Sequence, residues 1–277
     1  MRGPSPSAKA VRLGLAGFAI AWSVAPIALI VLASFKPPLE IFAIPPTLVF
    51  EPTLDNYRRL FAAWPAFLPN MLNSLIVTAG ATAVTVVAAV LAGYVYARYS
   101  SRFLTASAFF MILIRMMPPI IVTLPLFPVV NWLRINDTHL ILVLIYAAFF
   151  VSISTWILRA FIDQIPRELE EAAFVDGAAL RQILLKVVLP LITNGIVAAS
   201  IFVIVFAWNE YFFALVFTTR DAKTTPLVIS EILSTVEGVE WGVLFAAATV
   251  QLVPILAFVI AVQRYVIAGL TASAVKG

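Results

Sequence analysis

A few polar side chains stand where apolar sequence surrounds them. Asn73, Arg115, Asn209, Glu210 and Gln251 each interrupt a long run of hydrophobic residues. A polar or charged group in hydrocarbon is costly unless it faces protein, water or a solute. The chemistry open to Asn73, Asn209, Glu210 and Gln251 is hydrogen bonding with a polar molecule that crosses the chain. Covalent catalysis is not open. The chain has no cysteine, a single histidine (His139), and no Ser-His-Asp or Cys-His arrangement. Thiolate and imidazole clusters that could hold a metal are absent. No Gly-x-x-x-x-Gly-Lys-Ser/Thr loop is present to cradle phosphates, so the chain does not hydrolyse ATP by itself. Glu210 stands nearly alone as an intramembrane carboxylate, short of the array that a proton relay needs. These residue types describe a path that moves solute, and no enzyme.

The elements that position these groups are membrane spans. Of 277 residues, 62% are hydrophobic and 12% charged, with a mean hydropathy of +1.04, outside the soluble range. Apolar runs of roughly 20 residues predict an all-α integral membrane protein with six transmembrane helices. They fall at about 13–33, 70–97, 103–122, 140–161, 191–217 and 241–262, in a single transmembrane domain over residues 1–277. The basic start (Arg2, Lys9, Arg12) is shared with signal peptides. The run from Leu13 to Ala33 exceeds the roughly 7–15 residues of a signal core, however, and is expected to remain as the first span. Between residues 35 and 69, Pro37-Pro38 and Pro45-Pro46 oppose regular structure, while Asp55 to Phe61 suits a short surface helix.

In the second span Ser74, Thr78, Ala81, Thr82, Thr85, Ala89 and Ala92 share one helix face. Small residues there let helices approach closely, which favours tight packing over a pore lining. Arg115 either faces protein or a wet cavity, or snorkels to the outer surface. Residues 125–138 are expected outside the membrane, with His139 making an interfacial polar contact. Glu210 either faces a solute path or reaches the external interface near Thr218, Thr219 and Arg220.

The longest stretch in the back half that no bilayer would accept is Glu171 to Pro190. Pro166 opens it, acids follow in the first turn, and Gly177 divides it. The spacing predicts two short amphipathic helices over about 166–188, bent at Gly177 and suited to docking. Six spans with both termini inside place eleven Lys and Arg residues in the cytoplasm and six outside. The positive-inside rule then puts this segment in the cytoplasm. The net charge of +4 implies no nucleic-acid partner, because the basic residues sit beside spans and form no single patch.

Glu171-Ala172-Ala173, three residues, Gly177, nine residues, then Val187-Val188-Leu189-Pro190 resembles the EAA loop of ATP-binding-cassette importer permeases. Val187 stands where that pattern usually has Ile. Leu54-Asp55-Asn56-Tyr57, Asn136 to Leu142 and Trp208-Asn209-Glu210-Tyr211 also resemble stretches of these permeases. The tail from Gln263 to Gly277, with Gly269-Leu270-Thr271 and Ala274-Val275-Lys276-Gly277, is similar to the ending of the carbohydrate branch, with Ser273 in place of its usual glycine. The resemblance covers about residues 54–277.

It implies a type I importer (MetI-like) permease fold in a bacterial cytoplasmic (inner) membrane. It implies a second permease subunit, two ATPase subunits that bind ATP and Mg, and a periplasmic or extracellular solute-binding protein that delivers a carbohydrate. No cofactor is implied in this chain. By the same resemblance, Glu171, Ala172, Ala173, Asp176, Gly177, Leu180 and Leu184 couple to the ATPases, and Asn73, Asn209, Glu210 and Gln251 are candidates for the substrate path. The rival readings are an ion- or proton-coupled secondary transporter and a membrane scaffold that transports nothing.

Overall fold

A computed structural model describes residues 6–45, 47, 49–235 and 238–274; Arg2, Pro46, Glu237 and Lys276 lie outside them. Among the described residues all regular structure is helical. In chain order the helices are α1 (Pro6–Ser34), α2 (Asp55–Ala63), α3 (Phe67–Arg98), α4 (Arg102–Met116), α5 (Pro119–Trp132), α6 (His139–Ile162) and α7 (Arg167–Val175). Next come α8 (Leu180–Ile183), a π-helical turn (Leu184–Val188), α9 (Leu189–Leu191), α10 (Thr193–Trp208), α11 (Phe212–Phe217), α12 (Thr225–Leu233) and α13 (Trp241–Ala274). Within α1, α3, α6 and α13 lie four stretches long and apolar enough to cross a membrane. Two bent pairs, α4 with α5 at 96° and Leu180–Leu191 with α10 at 77°, raise the number to as many as six if each pair is one span.

The chain divides into two compact units. One comprises Met1–Phe67 with Val228–Val253. In it α1 presents apolar residues such as Leu13, Phe18 and Trp22 outward, as a lipid-facing span does. The tyrosine hydroxyl of Tyr57 meets Ser34 Oγ at 2.7 Å, and Asn56 Nδ2 donates to the carbonyls of Ser34 and Lys36 at 2.8 and 2.9 Å. These bonds satisfy carbonyls at the end of α1 and seat α2, the expected surface helix. Leu60, Phe67, Val228, Ile232, Val243, Ala246 and Ala247 form this unit's core.

The other unit comprises Leu68–Leu227 with Pro254–Gly277, and α6 is its centre. The N-terminal half of α6 (Ile141, Leu142, Ile145, Tyr146, Phe150) packs with Val77, Ala81, Val203 and Phe213. The other half (Leu158, Ile162) packs with Ala89, Val90, Tyr94, Ile183, Val188 and Ala199. Ser74, Thr78, Ala81, Thr85 and Ala89 are all buried, so the small-residue face of α3 is a packing face. A Cβ on Gly93 would lie 3.3 Å from the carbonyl oxygen of Thr155 and 3.2 Å from the amide nitrogen of Arg159. At that point α3 and α6 meet backbone to backbone.

Two of the expected spans contain helix breaks with local causes. The third span was expected to run to Val122, but α4 ends at Met116. Met117 is extended, Pro118 cannot continue the helix, and Pro119 opens α5. Residues 125–132, expected outside the membrane, continue α5 to Trp132. The fifth span was expected unbroken over 191–217, yet Asn209, Glu210 and Tyr211 separate α10 from α11.

Candidate functional sites in the arm and the membrane

Helix α7 and the segment Leu180–Leu191 form an arm with two unlike faces. Pro166 precedes α7, and Glu168 and Glu170 lie in its first turn, where acids favour the positive end of the helix dipole. Gly177 carries φ +84°, which a residue with a Cβ adopts only under strain, and so the bend falls there. The backbone N–H of Ala179 donates to Gln182 Oε1 at 2.8 Å and starts the next helix.

One face of the arm is bolted down. Glu170 Oε1 accepts from Arg98 Nε at 2.7 Å and lies 2.6 Å from Arg98 Nη2. Glu170 Oε2 accepts from the hydroxyl of Tyr94 at 2.7 Å. Arg98 Nη2 also donates to the carbonyls of Ile162 and Ile165 at 3.1 and 3.2 Å. The side chains of Arg98 and Glu170 are 9% and 11% exposed. A charge pair so buried holds only when its remaining donors and acceptors are filled, and here Tyr94 and the two carbonyls do so. The end of α3, the end of α6 and the arm are thus one unit. Ala173 and Leu184 lie half-buried against the same core.

The other face is open. Glu171, Ala172, Asp176, Gly177 and Leu180 are exposed. Beside them Phe174 is 72%, Val175 84% and Leu180 55% exposed. Of the seven residues assigned to coupling, five therefore stand on the open face and two face inward. The sequence reading passed over Glu170, Arg98, Tyr94 and Phe174. Glu170 is one of three acids within four residues (Glu168, Glu170, Glu171), and only its three-residue step from Ala173 marks it as the inward one.

The four polar candidates in the spans do not converge on one partner among the described residues. Asn73 Nδ2 donates to the carbonyls of Asp221 and Lys223 at 2.9 and 3.0 Å, and its Oδ1 accepts from His139 Nε2 at 2.7 Å. All of its amide atoms are engaged in holding a loop, and His139 makes a polar contact through Nε2. Asn209 Nδ2 donates to the carbonyl of Val205 at 2.8 Å, closing the end of α10. Glu210 Oε1 accepts the N–H of Phe213 at 2.9 Å, and Oε2 that of Ala214 at 3.4 Å, capping the start of α11. Gln251 belongs to the other compact unit, where its Oε1 is buried with no hydrogen-bond partner among the described residues.

Arg115 faces protein. Its guanidinium carbon lies 5.2 Å from the ring centre of Phe149 and 5.6 Å from that of Phe202, and Nη1 donates to the Phe149 carbonyl at 3.2 Å. Among the described residues no three His, Asp or Glu side chains converge as a metal site would require.

Helical spans, two of them broken, and an anchored arm with an open apolar face define a membrane transport component. The chain belongs to the family of binding-protein-dependent transport system inner membrane components, which it matches over residues 85–271. It is a permease subunit and not an enzyme. It is 37% identical over 230 residues to the trehalose transport system permease protein SugB of Mycobacterium tuberculosis, covering 81% of this chain and 82% of that one. Over 279 residues it is 32% identical to the diacetylchitobiose uptake system permease protein DasC of Streptomyces coelicolor, covering 99% of this chain and 96% of that one. Its fold matches a chain of a bacterial ABC transporter that imports the acidic polysaccharide alginate. The TM-score is 0.76 at 19% identity, covering 96% of this chain and 99% of the other.

Proposed function

We propose that this chain is one of two permease subunits of a carbohydrate importer driven by ATP. The relatives named for trehalose and diacetylchitobiose transport support a sugar or glycoside as the solute. ATP and Mg act in two partner ATPase subunits, and an external solute-binding protein delivers the sugar. Both termini and the arm lie in the cytoplasm, by the charge bias of the loops.

The observation that carries this reading is the arm, which is fastened through Glu170 and open at Phe174, Val175 and Leu180. Apolar side chains flanked by Glu171 and Asp176 suit a groove on an ATPase with basic groups at its rim. Closure of the ATPases pushes on that face. Because Arg98 joins Glu170 to the carbonyls of Ile162 and Ile165, the push reaches α3 and α6 together. The spans then exchange inward-open and outward-open states around a central path. Asn209 and Glu210 of the larger unit are suited by type to border it, while Asn73 holds the loop at residues 221–223.

Gly177→Val tests the coupling. A β-branched side chain at φ +84° strains the bend. In vesicles carrying the whole transporter, ATP-dependent uptake should fall while the complex stays assembled. Unchanged uptake with normal ATPase coupling would remove the arm from the mechanism.

A further inference from the structure

A cavity of about 270 Å³ lies beside Arg115, entirely within the larger unit. Ile114 and Arg115 of α4, Leu126 of α5, Phe149 and Ser152 of α6, and Phe213 of α11 line it. The volume is close to the lower end of ligand pockets, roughly 300 Å³, and holds a single sugar ring. Counting at 1.5 Å per residue, Arg115 lies about 20 Å along α4 from Arg102, and Ser152 about 20 Å along α6 from His139. Taken as consecutive spans entered from opposite sides, as the proposed topology has them, the two helices put both residues in the middle layer of a roughly 30 Å hydrocarbon core. Two helix breaks adjoin the cavity: Met117-Pro118, which follows Arg115, and Asn209 to Tyr211, which precedes Phe213. Broken helices at mid-membrane are where transporters free backbone and side-chain groups for a solute.

Two polar groups there have unused capacity. Arg115 makes one hydrogen bond to a carbonyl and stacks on two rings, yet forms no ion pair among the described residues. A guanidinium has five N–H donors, so most remain available. Ser152 is 6% exposed, and its Oγ is buried with no hydrogen-bond partner among the described residues. A cation and a hydroxyl donor beside aromatic faces is a set for an anionic oxygen group attached to a ring with C–H faces. A neutral solute would leave the guanidinium charge uncompensated in low dielectric, and a carboxylate would pair with it in two parallel bonds.

We propose that this cavity binds the anionic group of an acidic saccharide, a sugar carrying a carboxylate or sulfonate, during its passage through the chain. The inference rests on the reading of the protein as a saccharide importer. Arg115 supplies the charge, Ser152 a hydrogen bond, and Phe149 a face for the ring.

The native absence of cysteine makes a clean test possible. Ala148→Cys places a single thiol on the cavity wall of this chain, and its labelling by a charged methanethiosulfonate is followed by mass in the whole transporter. Glucuronate, glucose and acetate are the probes. Glucuronate is expected to slow labelling several-fold, glucose and acetate little, and Arg115→Met in the same background should abolish the protection while Arg115→Lys keeps part of it. The Lys variant guards against simple loss of fold. Equal protection by glucose, equal protection by acetate, protection that survives Arg115→Met, or a thiol that no reagent reaches would each overturn the proposal. ATP-driven uptake of saccharides is measured in the same vesicles. If uptake is present but glucuronate fails to protect, the cavity assignment alone falls. If no saccharide is taken up with ATP, the importer reading falls and takes this one with it.

Discussion

Arg98 and Glu170 meet at 2.6 Å with both side chains about nine-tenths buried, and they join the last turn of one span to the first helix of the arm. A pair in this setting is strong only as a pair, because each partner left alone is an uncompensated buried charge. Arg98→Met or Glu170→Leu alone should therefore cost about 3–5 kcal/mol. The double replacement Arg98→Met with Glu170→Leu should recover most of that loss, since no charge remains to be solvated. Thermal unfolding of the purified transporter, taken through the double-mutant cycle, reads the coupling energy directly. Additive losses would show that the two residues act separately.

Phe174 makes the opposite prediction. At 72% exposure it contributes little to the chain's own stability, so Phe174→Ala should shift unfolding by less than about 0.5 kcal/mol. Copurification of the ATPase subunits should nonetheless drop sharply, and Phe174→Asp should abolish it, because an aromatic anchor at an interface centre carries a large share of binding. An ATPase that stays bound to the Asp variant would place its contact elsewhere.

These two residues also show where sequence reading reaches and where it stops. The spans were legible because hydrocarbon selects runs of apolar residues, and the arm was legible because no bilayer accepts Glu168 to Glu171. The bend at Gly177 followed from its residue type. The inward role of Glu170 did not follow, because its partner Arg98 lies 72 positions away and only folding brings them together. The breaks after Met116 and after Trp208 were masked by apolar composition that continues past them, although Pro118-Pro119 marked the first. The polar residues Asn73 and Glu210 were visible as exceptions in apolar surroundings. The bonds they make in the folded chain, Asn73 to a loop and Glu210 to the start of a helix, depend on backbone groups that composition does not reveal.

Gly93 tests the close approach of α3 and α6. A side chain there would push into the backbone at Thr155 and Arg159, which cannot move aside as a flexible side chain can. Gly93→Leu should destabilise the fold by about 1–3 kcal/mol or more and lower the yield of assembled transporter. Gly93→Ala should cost much less, since neighbours at 3.2 and 3.3 Å need to give by only a few tenths of an ångström. Circular dichroism melts of the two variants give the comparison, and similar midpoints would show that the helices have room to part.

Asp137 fastens the loop that follows α11, and its effect should depend on pH. Its Oδ1 accepts the N–H groups of Thr219, Asp221 and Ala222 at 3.1, 3.2 and 3.1 Å. Its Oδ2 accepts those of Arg220 and Asp221 at 2.9 and 3.1 Å and the hydroxyl of Thr219 at 2.8 Å. Partial burial pushes its pKa up, but these donors outweigh burial and hold it at about 2, below the ordinary 3.8. With the folded pKa depressed, the stabilisation is fully present above 3.8 and is lost as pH falls toward 2. Asp137→Asn keeps the shape but turns an amide toward these donors, and should cost about 1–2 kcal/mol at neutral pH after allowance for solvent around the group. The gap in thermal midpoint between the native chain and the Asn variant should be constant from neutral pH down to about 5 and then narrow, closing near pH 2. A gap that stays open at the acid end would mean that Asp137 works through its shape and not through its charge.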